Sequence, residues 1–337
     1  MTAANPPELV CPAGGLPALK AAVDNGANCV YLGFRDETNA RNFNGLNFDD
    51  KNLAEGIKYA HDRKVKVLVA LNTFPQSANW AKWTAAVDRA AHHGVDAVIL
   101  ADVGLMDYAC RTHPNLRLHL SVQGSATSYE AINFYRERFN IQRAVLPRVL
   151  SLAQVEQVIK NTGVEIEVFG FGGLCVMVEG RCALSAYATG VSPNCNGACS
   201  PAKSVRWEET PQGMETRLNG ILIDRFGKDE RAGYPTLCKG RFEVDEETYY
   251  AIEEPTSLNT LQLLPELLTM GIRAIKIEGR QRSPAYVAQV TKIWREAIDT
   301  ARRDGEKFSP RPAWMAELNK VSEGQSQTLG AYYRPWK

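Results

Sequence analysis

Val65-Lys66-Val67-Leu68-Val69-Ala70-Leu71-Asn72, then a helical pattern over 80–93, the link Gly94-Val95-Asp96 and a second apolar run, Ala97-Val98-Ile99-Leu100-Ala101-Asp102, form the unit that decides the fold. Both runs are dense in Val, Ile, Leu and Ala with little polar alternation. That is the signature of parallel strands covered on both faces. The glycine link reads as a helix stop that feeds the next strand.

The unit recurs along the chain. Apolar runs at 9–12, 29–33, 116–123, 144–148, 166–172 and 274–278 read as further strands. Helical patterns cover 16–25, 53–63, 105–112, 128–139, 152–161, 258–270 and 285–303, with caps such as Asp49-Asp50 and Ser151. Eight alternations predict a TIM-type (β/α)8 barrel, since a doubly wound open sheet usually has fewer strands. The barrel is expected over 1–172 and 273–308, with an insertion over 173–272 between strands 7 and 8 and a C-terminal extension over 309–337. That insertion is far longer than a crossover needs. Pro193, Pro201, Pro211, Pro235 and Pro255 favour loops and short strands there, with 218–225 and 241–244 as candidate strands. Trp314, Tyr332, Tyr333 and Trp336 of the extension are expected to pack back on the body.

Composition narrows the function. The chain has 337 residues, 45% hydrophobic and 23% charged, as in soluble globular proteins. A net charge of +1 supplies no global field to hold DNA or any long nucleic acid. Residues 1–7 lack the apolar run of a secretory leader, and no stretch reaches the roughly 20 apolar residues of a membrane span. A cytoplasmic location is expected.

In a reducing compartment, eight cysteines favour metal or catalytic roles over disulfides. Cys11, Cys29 and Cys110 sit in apolar elements and read as core. Cys175, Cys182, Cys199 and Cys238 lie in the insertion, among Gly and Pro. Thiolates are soft ligands and suit iron–sulfur or zinc. No histidine follows His119, so local ligands are mostly sulfur. Zinc knuckles bring ligands in C-x2-4-C pairs, whereas six residues separate Cys175 from Cys182 and the only close pair is Cys195 with Cys199. An iron–sulfur cluster is favoured over zinc and over four independent buried thiols, with Cys195 as the spare. Backbone N–H groups of Gly172-Gly173, Gly180 and Gly197-Ala198 are candidate donors to its sulfurs.

Chemistry on a barrel belongs at the C-terminal ends of the strands. Asn72-Thr73, Asp102, His119, Ser121, Gln123, Arg148, Glu167, Lys276, Glu278 and Arg280 are expected near that mouth, and Cys11 faces the same end. Arg148, Glu278 and Lys276 are the candidate catalytic residues. An Arg148, Lys276 or Arg280 cation suits a carboxylated oxygen donor, because a guanidinium fork binds both oxygens. Structural roles compete at each position. Arg148 and Glu278 suit an ion pair, Asp102 a helix cap, His119 an interior bond and Asn72 a loop backbone. Lys203, Arg206, Lys239 and Arg241 suit solvent or the offset of thiolate charge.

Glu167-x-Phe169-x-x-Gly172-Gly173-Leu174-Cys175 followed by Gly180-x-Cys182-x-Leu184-Ser185 resembles the signature of the collagenase-like peptidase family of unassigned catalytic type, which has Ser or Ala at the position of Gly173. Cys11-Pro12-Ala13-Gly14, Asn39-Ala40-Arg41-Asn42-Phe43, Leu146-Pro147-Arg148 and Lys276-Ile277-Glu278-Gly279-Arg280 extend the resemblance over most of the chain. Gly197-Ala198-Cys199-Ser200-Pro201, Tyr234-Pro235-Thr236-Leu237-Cys238-Lys239 and Glu254-Pro255-Thr256-Ser257 resemble its ubiquinone-biosynthesis members. The resemblance implies a [4Fe–4S] cluster on Cys175, Cys182, Cys199 and Cys238 and a UbiV-like sister protein as heterodimeric partner. It further implies ring hydroxylation of a small-molecule quinone precursor without molecular oxygen, alongside other ubiquinone-biosynthesis proteins. Relatives in the family hydroxylate RNA bases, with prephenate implicated as oxygen donor. The near-neutral charge and the lack of an evident added RNA-binding module favour the quinone substrate. An electron-relay or structural subunit is a third reading. Proteolysis is disfavoured: the chain has no His-Glu-x-x-His motif and no Ser or Cys with an evident histidine base.

Overall fold

A computed structural model describes residues 6–175, 182–193 and 197–333. β1 (Glu8–Pro12), β2 (Cys29–Leu32), β3 (Lys66–Leu71), β4 (Ala97–Leu100), β5 (Leu118–Leu120), β6 (Ile141–Val145) and β7 (Glu165–Gly173) lie side by side in chain order. The strand Ala274–Ile277 closes the ring, because it pairs in parallel with both β7 and β1. The expected eight-stranded parallel barrel is therefore present.

Helices cover the outside. Six of them are α1 (Leu16–Asp24), α2 (Asp50–His61), α3 (Trp80–His92), α4 (Val103–Thr112), α5 (Tyr129–Phe139) and α6 (Leu152–Asn161). Their starts show why the chain turns helical there. Asp49 Oδ1 accepts the Asn52 N–H at 2.9 Å, Asp102 Oδ1 that of Leu105 at 2.9 Å, and Ser151 with Gln154 forms a capping box. The principal core lies between this layer and the sheet, with Trp83 and Trp294 among its largest buried side chains.

The lumen divides into two halves. Val10, Cys29, Tyr31, Leu68, Ala70, Ala97, Ile99 and Ala274 make a separate apolar cluster inside the ring. The other half is charged. Arg143 reaches Glu8 at 2.6 Å, Glu165 at 2.7 Å and Glu167 at 3.4 Å, and Lys276 reaches Glu167 at 2.7 Å. A barrel interior filled by side chains is a packed core and not a pore.

Some expected boundaries move. The run 144–148 becomes β6 at Ile141–Val145, since its early polar residue Arg143 turns into the charged lumen. The run 116–123 shortens to β5, and Ser121 caps a 3-10 turn over Val122–Gly124. The helix expected over 258–270 begins instead with a strand, Ser257–Asn259, antiparallel to the glycine-rich end of β7. A 3-10 turn then leads into the helix Leu264–Met270, and Leu264 and Leu267 belong to the barrel core. Within the long connection, the strand expected over 218–225 is two strands of a hairpin, Gly213–Leu218 and Ile221–Phe226, which join Val205–Thr210 in a three-stranded sheet. Asn219 and Gly220 turn the chain with φ of 50° and 83°, as a two-residue hairpin loop requires. At the C-terminal end, Trp314 and Tyr332 pack back as expected, whereas Tyr333 is exposed. Trp336 lies outside the described residues.

Candidate functional site

The mouth at the C-terminal ends of the strands is assembled from loops that lock one another. Asn39 lies in the loop after β2. Its Oδ1 accepts from the Arg41 backbone at 2.8 Å and from Arg280 Nη1 at 3.1 Å. Asn72, at the end of β3, accepts the Ala40 N–H at 3.0 Å. Arg280 is buried beside the ring of Tyr31, and burial pulls its guanidinium down to about 10. Gly14 is pressed so close that a Cβ there would sit 1.9 Å from the Arg280 carbonyl oxygen.

Arg148 and Glu278 stand at this mouth. Arg148 Nη2 lies 2.5 Å from Glu278 Oε1, and the guanidinium stacks 3.7 Å over the ring of Phe169. Gly172 makes room for the carboxylate. Its φ is 141°, and a Cβ there would lie 2.4 Å from Glu278 Cβ.

Lys276 does not join them. It sits in the lumen, buried, bonded to Glu167 and 4.0 Å over the ring of Tyr31. Glu167 and His119, also expected near the mouth, lie in the same interior. Cys11 does not face the mouth either. It is fully buried behind the sheet, and Thr291 Oγ1 donates to its sulfur at 3.3 Å. Cys29 lies in the lumen and donates to Glu8 at 3.3 Å.

The insertion cysteines gather beside the mouth. Cys175 lies two residues beyond the end of β7, and Cys182 precedes the helix Ala183–Thr189. Cys199 follows Gly197, whose position is packed against Asn39 and Asn42 of the β2 loop. Cys238 occupies a 3-10 turn, and its carbonyl accepts the Glu253 N–H at 3.1 Å. Burial, followed by the charge of Cys175, pushes the Cys238 thiol up to about 12, with Cys199 and Cys182 acting the same way against Lys239. The four sulfurs therefore sense one another. They carry no disulfide. Even so, among the described residues no three His, Cys, Asp or Glu side chains close into a metal-binding group. Cys195, the expected spare, and Gly180 lie outside the described residues.

Arg41 connects the two halves of the site. Burial opposes its charge, yet Glu278 and then Cys199 and Cys175 hold its guanidinium above the usual range. Sequence reasoning quoted Arg41 without giving it a role. Its signal was there: an Asn-Ala-Arg-Asn-Phe loop directly after a barrel strand. Lys239 and Arg241, read as suiting either solvent or the offset of thiolate charge, are paired with Glu323 and with Glu230, and Lys239 also acts on Cys238 against the charge of the neighbouring thiols.

A parallel barrel with a cysteine-rich loop system at its C-terminal mouth defines the class. The sequence pattern of Peptidase family U32 matches residues 14–335, and the chain belongs to that family. It is 35% identical over 332 residues to an uncharacterized protease of Methanocaldococcus jannaschii, covering 97% of this chain and 73% of that protein. It is 31% identical over 322 residues to tRNA hydroxylation protein P1 of Bacillus subtilis, covering 96% of this chain and 70% of the relative. The 23S rRNA 5-hydroxycytidine C2501 synthase of Escherichia coli is 28% identical over 296 residues, which cover 87% of this chain and 39% of that protein. Among the described residues, no helix is long and apolar enough to cross a membrane.

Proposed function

We propose that this chain is a UbiU-like component of an O2-independent hydroxylation system in ubiquinone biosynthesis. It acts with a UbiV-like partner as a heterodimer on the aromatic ring of a quinone precursor. The names of two relatives, a tRNA hydroxylation protein and a hydroxycytidine synthase, support hydroxylation as the reaction class and an enzymatic role. The observation that carries the reading is that Arg41 is acted on both by Glu278, the ion-pair partner of Arg148 at the barrel mouth, and by Cys199 and Cys175, while Cys238 is acted on by Cys175, Cys199 and Cys182.

The donor set fits a [4Fe–4S] cluster on Cys175, Cys182, Cys199 and Cys238. All four are soft, and no histidine competes locally. Ser200, beside Cys199, supports the fit: its Oγ is buried with no partner among the described residues, and a cluster sulfur is an acceptor for it. A cluster saturated by four thiolates supplies electron transfer. Arg148 and Arg41 hold a carboxylated oxygen donor, such as prephenate, by their planar forks. Phe169, under Arg148, fixes the orientation of that planar guanidinium by a cation–π stack and shields one face from water. Proteolysis has little support: the chain has no His-Glu-x-x-His motif, and His119 is buried and bonded by Arg117.

The names of the same relatives favour a second reading, in which the substrate is an RNA base. Anaerobic purification with iron and sulfide analysis tests the cluster. Roughly four irons per chain, lost on changing any of the four cysteines, is the expected result. Stoichiometric zinc without charge-transfer absorption overturns it. An anaerobic deletion strain separates the substrates: accumulated quinone precursor supports the first reading, and intact quinone with a missing RNA hydroxyl supports the second.

A further inference from the structure

The long connection between β7 and the closing strand carries a surface that the proposed reaction does not use. Phe242–Val244 and Glu247–Tyr249 pair antiparallel as a two-stranded sheet of their own. Of these six strand residues Phe242 is half-buried and the other five are exposed. The register sets Phe242 opposite Tyr249 and Val244 opposite Glu247, so these four share one face, and Glu243 with Thr248 lies on the other. The first face presents Val244, 38% exposed, and Tyr249, 47% exposed. Charge surrounds them. Residues 242–254 hold six carboxylates and no Lys, Arg or His, in a chain whose net charge is +1. The two cations just before the hairpin are engaged, Arg241 with Glu230 at 2.7 Å and Lys239 with Glu323.

A lone two-stranded hairpin is marginal in water and gains stability when one face is packed. Here the base is held: Tyr250 donates to Asp224 at 3.1 Å, and the Glu253 N–H donates to the Cys238 carbonyl at 3.1 Å. The face above that base stays open to solvent in the single chain. An apolar centre that includes a tyrosine, with a charged rim, is the anatomy of a protein–protein interface. The sign of the rim selects the occupant. Four carboxylates within residues 243–247 repel phosphate, which disfavours nucleic acid and anionic lipid. A protein face rimmed by Lys and Arg is complementary. We propose that the Phe242–Val244–Tyr249 face of this hairpin docks a basic face of the UbiV-like partner, an inference that rests on the heterodimer proposed above. Cys238 lies four residues before the hairpin, so the partner is seated beside one of the proposed cluster ligands.

The test is anaerobic titration calorimetry of the full chain against the separately purified UbiV-like protein, at low and at high salt. Wild-type affinity is expected to fall as salt rises. Glu243→Lys combined with Glu247→Lys should weaken binding at least about 10-fold at low salt, and Tyr249→Ser should do so at both salt concentrations. Variants that bind within about 2-fold of wild type overturn the docking site and leave the heterodimer standing. A wild-type chain that binds no UbiV-like protein overturns the heterodimer and the docking site together. Should a variant misfold, hydrogen exchange on the wild-type complex decides the matter. Amides of residues 242–249 that slow at least about 10-fold on binding support the proposal, and amides that exchange alike in free and bound chains overturn it.

Discussion

Lys276 Nζ lies 2.7 Å from Glu167 Oε1, and both side chains are buried inside the barrel. Glu167 also faces Arg143 at 3.4 Å, so the pair belongs to the lumen network and not to the mouth. Breaking one partner of a buried pair leaves an uncompensated charge and costs about 3–5 kcal/mol. Lys276→Met is therefore expected to destabilise the fold by that amount, and adding Glu167→Leu should recover at least half of it. Urea unfolding of the single and double variants checks this. A single variant within about 1 kcal/mol of wild type would show that the pair is not structural.

Arg148 is expected to behave differently. Its guanidinium lies between Glu278 and the face of Phe169, where a lysine cannot reproduce the flat fork. Arg148→Ala and Arg148→Lys should both lower hydroxylated product at least about 10-fold, the equivalent of ~1.4 kcal/mol. Under the proposed [4Fe–4S] assignment, the absorption of that cluster should stay intact in both. Loss of that absorption in Arg148→Ala would assign the residue to holding the cysteine loops instead.

The difference between these two residues shows where sequence reading succeeds. Strands such as β3 and β4 were legible because both faces are apolar, so the pattern had one interpretation. The charged lumen was not. Arg143, Glu165, Glu167 and Lys276 alternate with apolar residues, and alternation alone does not tell a lumen from a rim. Lys276 was grouped with Glu278 for that reason, although Lys276 turns into the lumen toward Glu167 while Glu278 pairs with Arg148 at the mouth. The Arg148–Glu278 pair was legible because each residue follows the end of a strand. The strand Ser257–Asn259 was hidden by an apolar sequence that also suits a helix. Only pairing with the edge exposed by β7 decides between them. The Asn219-Gly220 turn, by contrast, carried its own signal and was missed.

Glu8 makes the lumen sensitive to acid. Burial alone would raise its carboxyl, but the charge of Arg143 and the hydrogen bonds from Lys66 and Arg143 bring it from 4.5 to about 2. A carboxyl held below its unfolded value stabilises the fold fully above pH 4.5, and the contribution fades as pH falls through about 2. Its size at neutral pH is on the order of 1–2 kcal/mol once solvent screening at the half-exposed Lys66 partner is allowed for. Glu8→Gln should therefore be less stable than wild type at pH 6 by roughly that amount. The gap should narrow steadily as the medium is acidified below pH 4.5. Unfolding curves of both proteins at several acidic pH values measure the gap. A difference that stays constant across that range would mean that Glu8 is not held charged by Arg143 and Lys66, and that its loss is felt only as lost packing.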